Sequence, residues 1–135
     1  MRERGFLTNE PVTAKGIIER KKIRELVTAA PAETVADAFK KMKEMHITQL
    51  PVMEGDSITG SITEHRILKL LVDSPENRAD EVGKVMGKPF PVVDLTATAS
   101  DISKLISKEN NAVMVKANSG AWHIITEFDL IEAIA

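Results

Sequence analysis

The segment of this chain best equipped for chemistry is Thr126-Glu127-Phe128-Asp129. It follows the apolar run Ala121-Trp-His-Ile-Ile125 and opens the last stretch of helical periodicity, so it marks a strand passing directly into a helix. Unpaired backbone N–H groups and the positive end of the helix dipole meet at such a point and favour an anion such as phosphate. The Thr126 hydroxyl can donate to a phosphate oxygen there. Asp129, one turn later on the same face, can accept from the vicinal hydroxyls of a sugar. Together the two suit a ribonucleotide. Thr-x-x-Asp is also a helix-capping box, in which the same side chains satisfy the helix's own orphan donors. Thr34-Val-Ala-Asp37 and Thr98-Ala-Ser-Asp101 repeat the pattern with no hairpin before them, which favours capping. Placement directly after a hairpin favours the ligand. Both readings stand on the residues alone.

The elements that must position this segment come in two copies. Gly60-Ser-Ile-Thr-Glu-His-Arg-Ile-Leu68 aligns with His123-Ile-Ile-Thr-Glu-Phe-Asp-Leu-Ile131, and upstream Thr34–Asp37 aligns with Thr98–Asp101. Each copy is roughly 60 residues long, and two of them imply a pseudo-twofold pair, not an open array. In the first, Val35, Ala38, Phe39, Met42 and Met45 fall on one face of an amphipathic helix. Gln49–Met53, a Glu54-Gly55-Asp56 turn and Ser57–Ile62 then read as a β-hairpin, and Thr63 starts a second helix carrying Ile67, Leu68, Leu70 and Leu71. In the second, Thr98 starts a helix with Ile102, Leu105 and Ile106 inward. The hairpin is Ala112–Val115 with Ala121–Ile125, and Thr126 starts a helix with Leu130, Ile131 and Ile134 apolar. Short strands around Glu25–Thr28 and Pro91–Leu95 precede the first helix of each copy, so the unit is β-α-β-β-α, twice. Ser74–Arg78 is the loop between copies, and Asp80–Met86 reads as a short helix leading into the second. The expected class is α/β in the α+β sense: a linker over residues 1–16, repeat one over 17–74 and repeat two over 75–135.

The first copy breaks the motif, because Thr63-Glu-His-Arg66 carries Arg where the second has Asp129. Arginine near a helix N-terminus opposes the dipole and cannot accept from a sugar hydroxyl. Either the position has drifted, or only the Asp129 site keeps ribose recognition. Other chemistry is poorly supported. His46, His65 and His123 are scattered without the spacing of a metal site, and the chain has neither a Walker lysine loop nor a GxGxxG. Trp122 is expected to fill the seam between repeats, and Lys40, Lys41 and Lys43 to form the solvated side of their helix.

Composition narrows the classes further. The chain is 43% hydrophobic but only 4% aromatic, so its core must be aliphatic. A net charge of -2 lacks the basic footprint of a nucleic-acid binder. With no cysteine, disulfides, thiolate metal sites and cysteine nucleophiles are excluded. No apolar run approaches the length of a membrane span, and Met1–Glu10 lacks a secretory signal, so a cytoplasmic domain is the expectation.

The doubled unit, with HITQLPVMEGDSITGSITEHRIL in copy one and AWHIITEFDLIEAIA in copy two, resembles the tandem cystathionine-β-synthase (CBS) domain pair across residues 17 to 135. In that family each repeat ends in Gly-apolar-apolar-Thr-x-x-Asp. Copy one keeps Gly60 and Thr63 without the Asp, and copy two keeps Thr126 and Asp129 with His123 at the Gly position. The resemblance implies sheet-against-sheet packing and an adenosine ligand held between repeats. Asp129 would take the ribose and Thr126 the phosphate or its substitute, with Ile124 and Ile125 lining one wall. Ile47, Thr48, Gln49, Leu50 and Pro51 would surround adenine, with Ile23 nearby. It also implies a homodimer. Met1-Arg-Glu-Arg-Gly-Phe-Leu7 further resembles the end of the catalytic domain in pyridoxal-phosphate-dependent cystathionine β-synthases. That implies a regulatory fragment that is not itself an enzyme. Pyridoxal phosphate would then belong to an upstream catalytic domain, and AMP, ATP or S-adenosylmethionine would act as effector. A ligand-free dimerisation module is the rival reading.

Overall fold

The computed structural model describes residues 11–21, 26–108 and 110–135. Helix α1 (Ala14–Arg20) comes first, followed by α2 (Val35–Met45), strands β1 (Gln49–Glu54) and β2 (Ser57–Thr63), and α3 (Glu64–Asp73). A 3-10 segment (Pro75–Ala79) and the short α4 (Val82–Val85) lead to β3 (Val92–Val93), α5 (Ala99–Ser103), β4 (Ala112–Lys116), β5 (Trp122–Thr126) and α6 (Glu127–Ile134). The fold is α+β, built from two small sheets and the helices that cover them.

Local chemistry accounts for most boundaries. Thr34, Thr63, Thr98 and Thr126 each cap a helix, accepting at the hydroxyl from the backbone N–H three residues on. The first hairpin turns at Gly55, whose φ of 62° is a left-handed conformation that glycine adopts without strain. β1 and β2 pair antiparallel from Gln49–Thr63 to Glu54–Ser57, with a shift of register at Val52/Met53. In the second repeat β3 lies parallel to β4, which pairs antiparallel with β5.

The strand expected over Glu25–Thr28 does not form across its described part. What remains is a single parallel bridge between Ala29 and Val52, and the Thr28 carbonyl accepts from Lys41 Nζ at 2.6 Å instead of from a strand partner. Lys41 also pairs with Glu33, so this lysine is a tether and not simply part of a solvated face.

Three apolar clusters hold the chain together. The first repeat closes around Val35, Ala38, Met42, Leu50, Val52, Ile62 and Ile67, joined by Val82 of α4. The second closes around Ile102, Val113, Val115, Ile125 and Leu130, and it also takes in Ala14 and Ile17 of α1. Residues 12–16, read from sequence as linker, therefore belong physically to the second repeat. Ala14 N–H donates to the Ala97 carbonyl at 2.8 Å, and Ala99 N–H to the Val12 carbonyl at 2.7 Å. A third cluster, Phe90, Ala112 and Met114 with Ile58, Trp122 and Ile124, lies between the repeats. Trp122 takes the expected seam position, its indole N–H donating to the Asp56 carbonyl of the first hairpin's turn at 3.1 Å.

Several residues that helical periodicity places inward are exposed: Phe39, Met45, Leu68, Leu105, Ile131 and Ile134. Each two- or three-stranded sheet is narrow, so one stripe of a helix covers it and the neighbouring apolar stripe faces outward.

Candidate functional site

The second repeat's β5–α6 junction carries Thr126 and Asp129 as a closed capping box. Asp129 N–H donates to Thr126 Oγ1 at 3.2 Å, and Thr126 N–H donates to Asp129 Oδ2 at 2.8 Å. The boxes at Thr34/Asp37 and Thr98/Asp101 are closed in the same way. Capping is thus realised at all three Thr-x-x-Asp motifs. What distinguishes the third is its company. Lys21, the residue that ends α1, donates from Nζ to Asp129 Oδ2 at 3.0 Å and to the Ile124 carbonyl at 2.7 Å. The lysine side chain is 31% exposed and the aspartate 12%. Among the described residues Asp129 Oδ1 accepts no hydrogen bond. Beside it lies a cavity of about 200 Å³ lined by Ile17, Arg20, Lys21, Asp129, Glu132 and Ala133.

The corresponding junction of the first repeat is filled by protein. Thr63 caps α3 by accepting from Arg66 N–H at 3.1 Å, but no carboxylate returns the bond. Arg66 Nε donates to the Val85 carbonyl at 2.8 Å. Ser61 and Gly87 exchange backbone hydrogen bonds at 3.1 and 2.8 Å, and Ser61 Oγ donates to the Lys88 carbonyl at 2.6 Å. Met86 packs so tightly over Gly60 that a Cβ there would lie 2.4 Å from its sulfur and 2.8 Å from the Gly87 carbonyl oxygen. Arg66 has therefore become a tie to the inter-repeat segment.

The remaining expected site residues separate. Ile124 and Ile125 cannot share a wall, because consecutive strand residues face opposite sides. Ile124 faces the cluster between the repeats, whereas Ile125 is fully buried in the second core. Ile47 and Leu50 belong to the first core, and Gln49 and Pro51 are buried. Thr48 is exposed; its hydroxyl donates to Gln49 Oε1 and its carbonyl accepts from Glu64 N–H. Among the described residues no hydrogen bond or shared apolar cluster links residues 47–51 to Asp129. Ile23 lies outside the described residues, as does the Met1–Leu7 stretch.

The close packing at Gly60 and the part played by Lys21 escaped the sequence reading. Gly60 inside a strand was an available signal of close backbone approach. Lys21 had none, since it meets Asp129 across 108 residues of chain. Among the described residues no group of three His, Asp or Glu is placed to hold a metal ion, and no helix is long and apolar enough to cross a membrane.

Known proteins bear on both repeats. The CBS domain model matches residues 15–73 and again 82–135. Cystathionine beta-synthase of Mus musculus is 28% identical over 132 residues, which is 90% of this chain but 24% of that enzyme, so the chain spans about a quarter of its relative's length. A CBS-domain containing protein of Agrobacterium tumefaciens superposes with a TM-score of 0.83 at 19% identity, over 98% of this chain and 100% of its own. CBSX2 of Arabidopsis thaliana, solved in complex with AMP, superposes with a TM-score of 0.72 at 20% identity, over 91% of this chain and 96% of its own. At those identities the likeness is one of fold. The family model, however, matches two segments that together cover most of the chain. This chain belongs to the CBS domain family, and its two repeats form a tandem CBS pair.

Proposed function

We propose that this CBS pair is a regulatory module that binds an adenosine-containing ligand at the second repeat's β5–α6 junction. Candidate effectors are AMP, ATP and S-adenosylmethionine. The module would control an attached pyridoxal-phosphate-dependent enzyme of the cystathionine β-synthase type, in the cytoplasm. The observation that carries the reading is Asp129 Oδ1, which accepts no hydrogen bond among the described residues, beside a cavity, in a chain whose fold relative CBSX2 was solved with AMP. The relation to cystathionine beta-synthase supports the choice of enzyme. Regulation requires that the ligand bind one arrangement of the module more tightly than another, with couplings of about 1–3 kcal/mol the usual scale.

Titration calorimetry with AMP, ATP and S-adenosylmethionine tests this. A hydrogen bond to a charged group contributes about 1.5–3 kcal/mol, so Asp129→Ala is expected to weaken binding by roughly ten- to a hundredfold. Asp37→Ala removes an equivalent capping box in the first repeat, outside the cavity's lining, and is expected to leave affinity unchanged. Equal affinity in wild type and Asp129→Ala overturns the reading, as does the absence of binding by all three compounds.

The second reading, a ligand-free dimerisation module, rests on the exposed apolar side chains of α6. Ile131 and Ile134 line a groove of about 400 Å³ together with Ile106 and Leu130. Sedimentation separates the two: an adenosine-blind chain that remains a dimer favours the interaction module.

A further inference from the structure

Lys21 pairs with the carboxylate that the reading above assigns to the ribose. Its ammonium joins Asp129 Oδ2 to the Ile124 carbonyl, spanning the end of β5 and the first turn of α6. Arg20, next to it, donates to the Ala133 carbonyl at 3.0 Å and stands at the rim of the same cavity. At about 200 Å³ that cavity is below the usual range of small-molecule pockets, roughly 300–1,000 Å³. A vicinal diol that engages both oxygens of Asp129 must therefore displace the lysine.

Displacement has a chemical consequence. The ammonium loses a carboxylate and a carbonyl in a half-buried place, and removing one partner of such a pair is costly unless another anion replaces it. A nucleoside phosphate brings that anion in the same molecule as the diol. Adenosine brings none. S-adenosylmethionine adds a sulfonium and an ammonium against a single carboxylate. Resting on the adenosine-binding reading above, we infer that Lys21 is a latch that holds the empty site shut and then pairs with the phosphate of the ligand that opens it. The site thereby selects adenosine phosphates over neutral adenosine and over cationic S-adenosylmethionine.

Calorimetry on the whole chain with adenosine, AMP and S-adenosylmethionine, in wild type, Lys21→Met and Lys21→Arg, tests the latch. Wild type is expected to bind AMP at least about tenfold more tightly than adenosine, the scale of one hydrogen bond to a charged group. Lys21→Met should bind adenosine more tightly and AMP more weakly, shrinking the AMP preference by about tenfold, whereas Lys21→Arg should retain it. Thermal melts without ligand verify that both variants fold. An unchanged AMP-to-adenosine ratio in Lys21→Met overturns the latch, and so does a wild type that prefers S-adenosylmethionine. Either result leaves the adenosine-binding reading intact. A wild type that binds none of the three defeats that reading itself.

Discussion

The two β–α junctions share a backbone plan and differ in how they are closed. In each, a segment from outside the hairpin crosses the point where a strand becomes a helix. Over the first it is Val85–Lys88, fastened by paired backbone hydrogen bonds to Ser61, by Met86 against Gly60 and by Arg66 on the Val85 carbonyl. Over the second it is one lysine side chain on one carboxylate and one carbonyl. Opening the first would break several packed and hydrogen-bonded contacts together. Opening the second breaks one ion pair and one hydrogen bond, both made by a single side chain. A duplicated scaffold can thus keep one cleft for architecture and leave the other for a ligand. The deciding residues are Met86 and Arg66 on one side and Lys21 and Asp129 on the other.

The largest effect is expected where the closure is tightest. Gly60→Ala must push back the Met86 side chain and the Gly87 backbone, so its stability in urea unfolding should fall by about 1–3 kcal/mol. His123→Ala, at the aligned position of the second repeat, should change stability by no more than about 0.5 kcal/mol. Equal losses at the two positions would mean that the clefts are closed alike. A smaller effect tests the seam between the halves. Trp122→Phe keeps most of the ring but loses the bond to the Asp56 carbonyl, and about 0.5–1.5 kcal/mol should disappear from the same measurement. No change would mean that this bond does not help to hold the repeats in register.

The smallest effect compares capping boxes. Asp101 sits in an exposed box at α5, and the Thr98 backbone N–H, then the Thr98 hydroxyl, hold its carboxyl below the usual carboxylate range. A carboxyl whose folded-state pKa is depressed stabilises the protein above its unfolded-state value, near pH 4, and that contribution is lost as pH falls through the folded-state value. Asp101→Asn should therefore lower stability modestly at neutral pH and flatten its fall below about pH 4, where variant and wild type should converge. An acid limb as steep as the wild type's would show that this box does not couple to protonation.

Much of this molecule was readable from short-range patterns. The duplication, both hairpins and the threonine caps of α2, α3, α5 and α6 follow from alternation and spacing within a few residues. The strand's period of two also excluded Ile125 from the wall of Ile124, a constraint that the family resemblance obscured. Helical periodicity identified apolar stripes but not which of them the narrow sheets would cover, so Phe39 and Leu68 were expected inside. Long-range contacts left no local trace. Nothing near Lys21 announces Asp129, and nothing in residues 12–16 announces a berth against Ala97 and Ala99.

The docking of α1 on the second repeat sets an order of events during synthesis. This helix leaves the ribosome before either hairpin, yet the core that receives it includes Leu130, and Arg20 meets its carbonyl partner across 113 residues. The first repeat's main core can gather while translation continues, but α1 must wait without its partner until Leu130 has emerged. Contacts so distant along the chain are slow to form. The cleft that Lys21 closes therefore cannot form before both ends of this 108-residue separation are present.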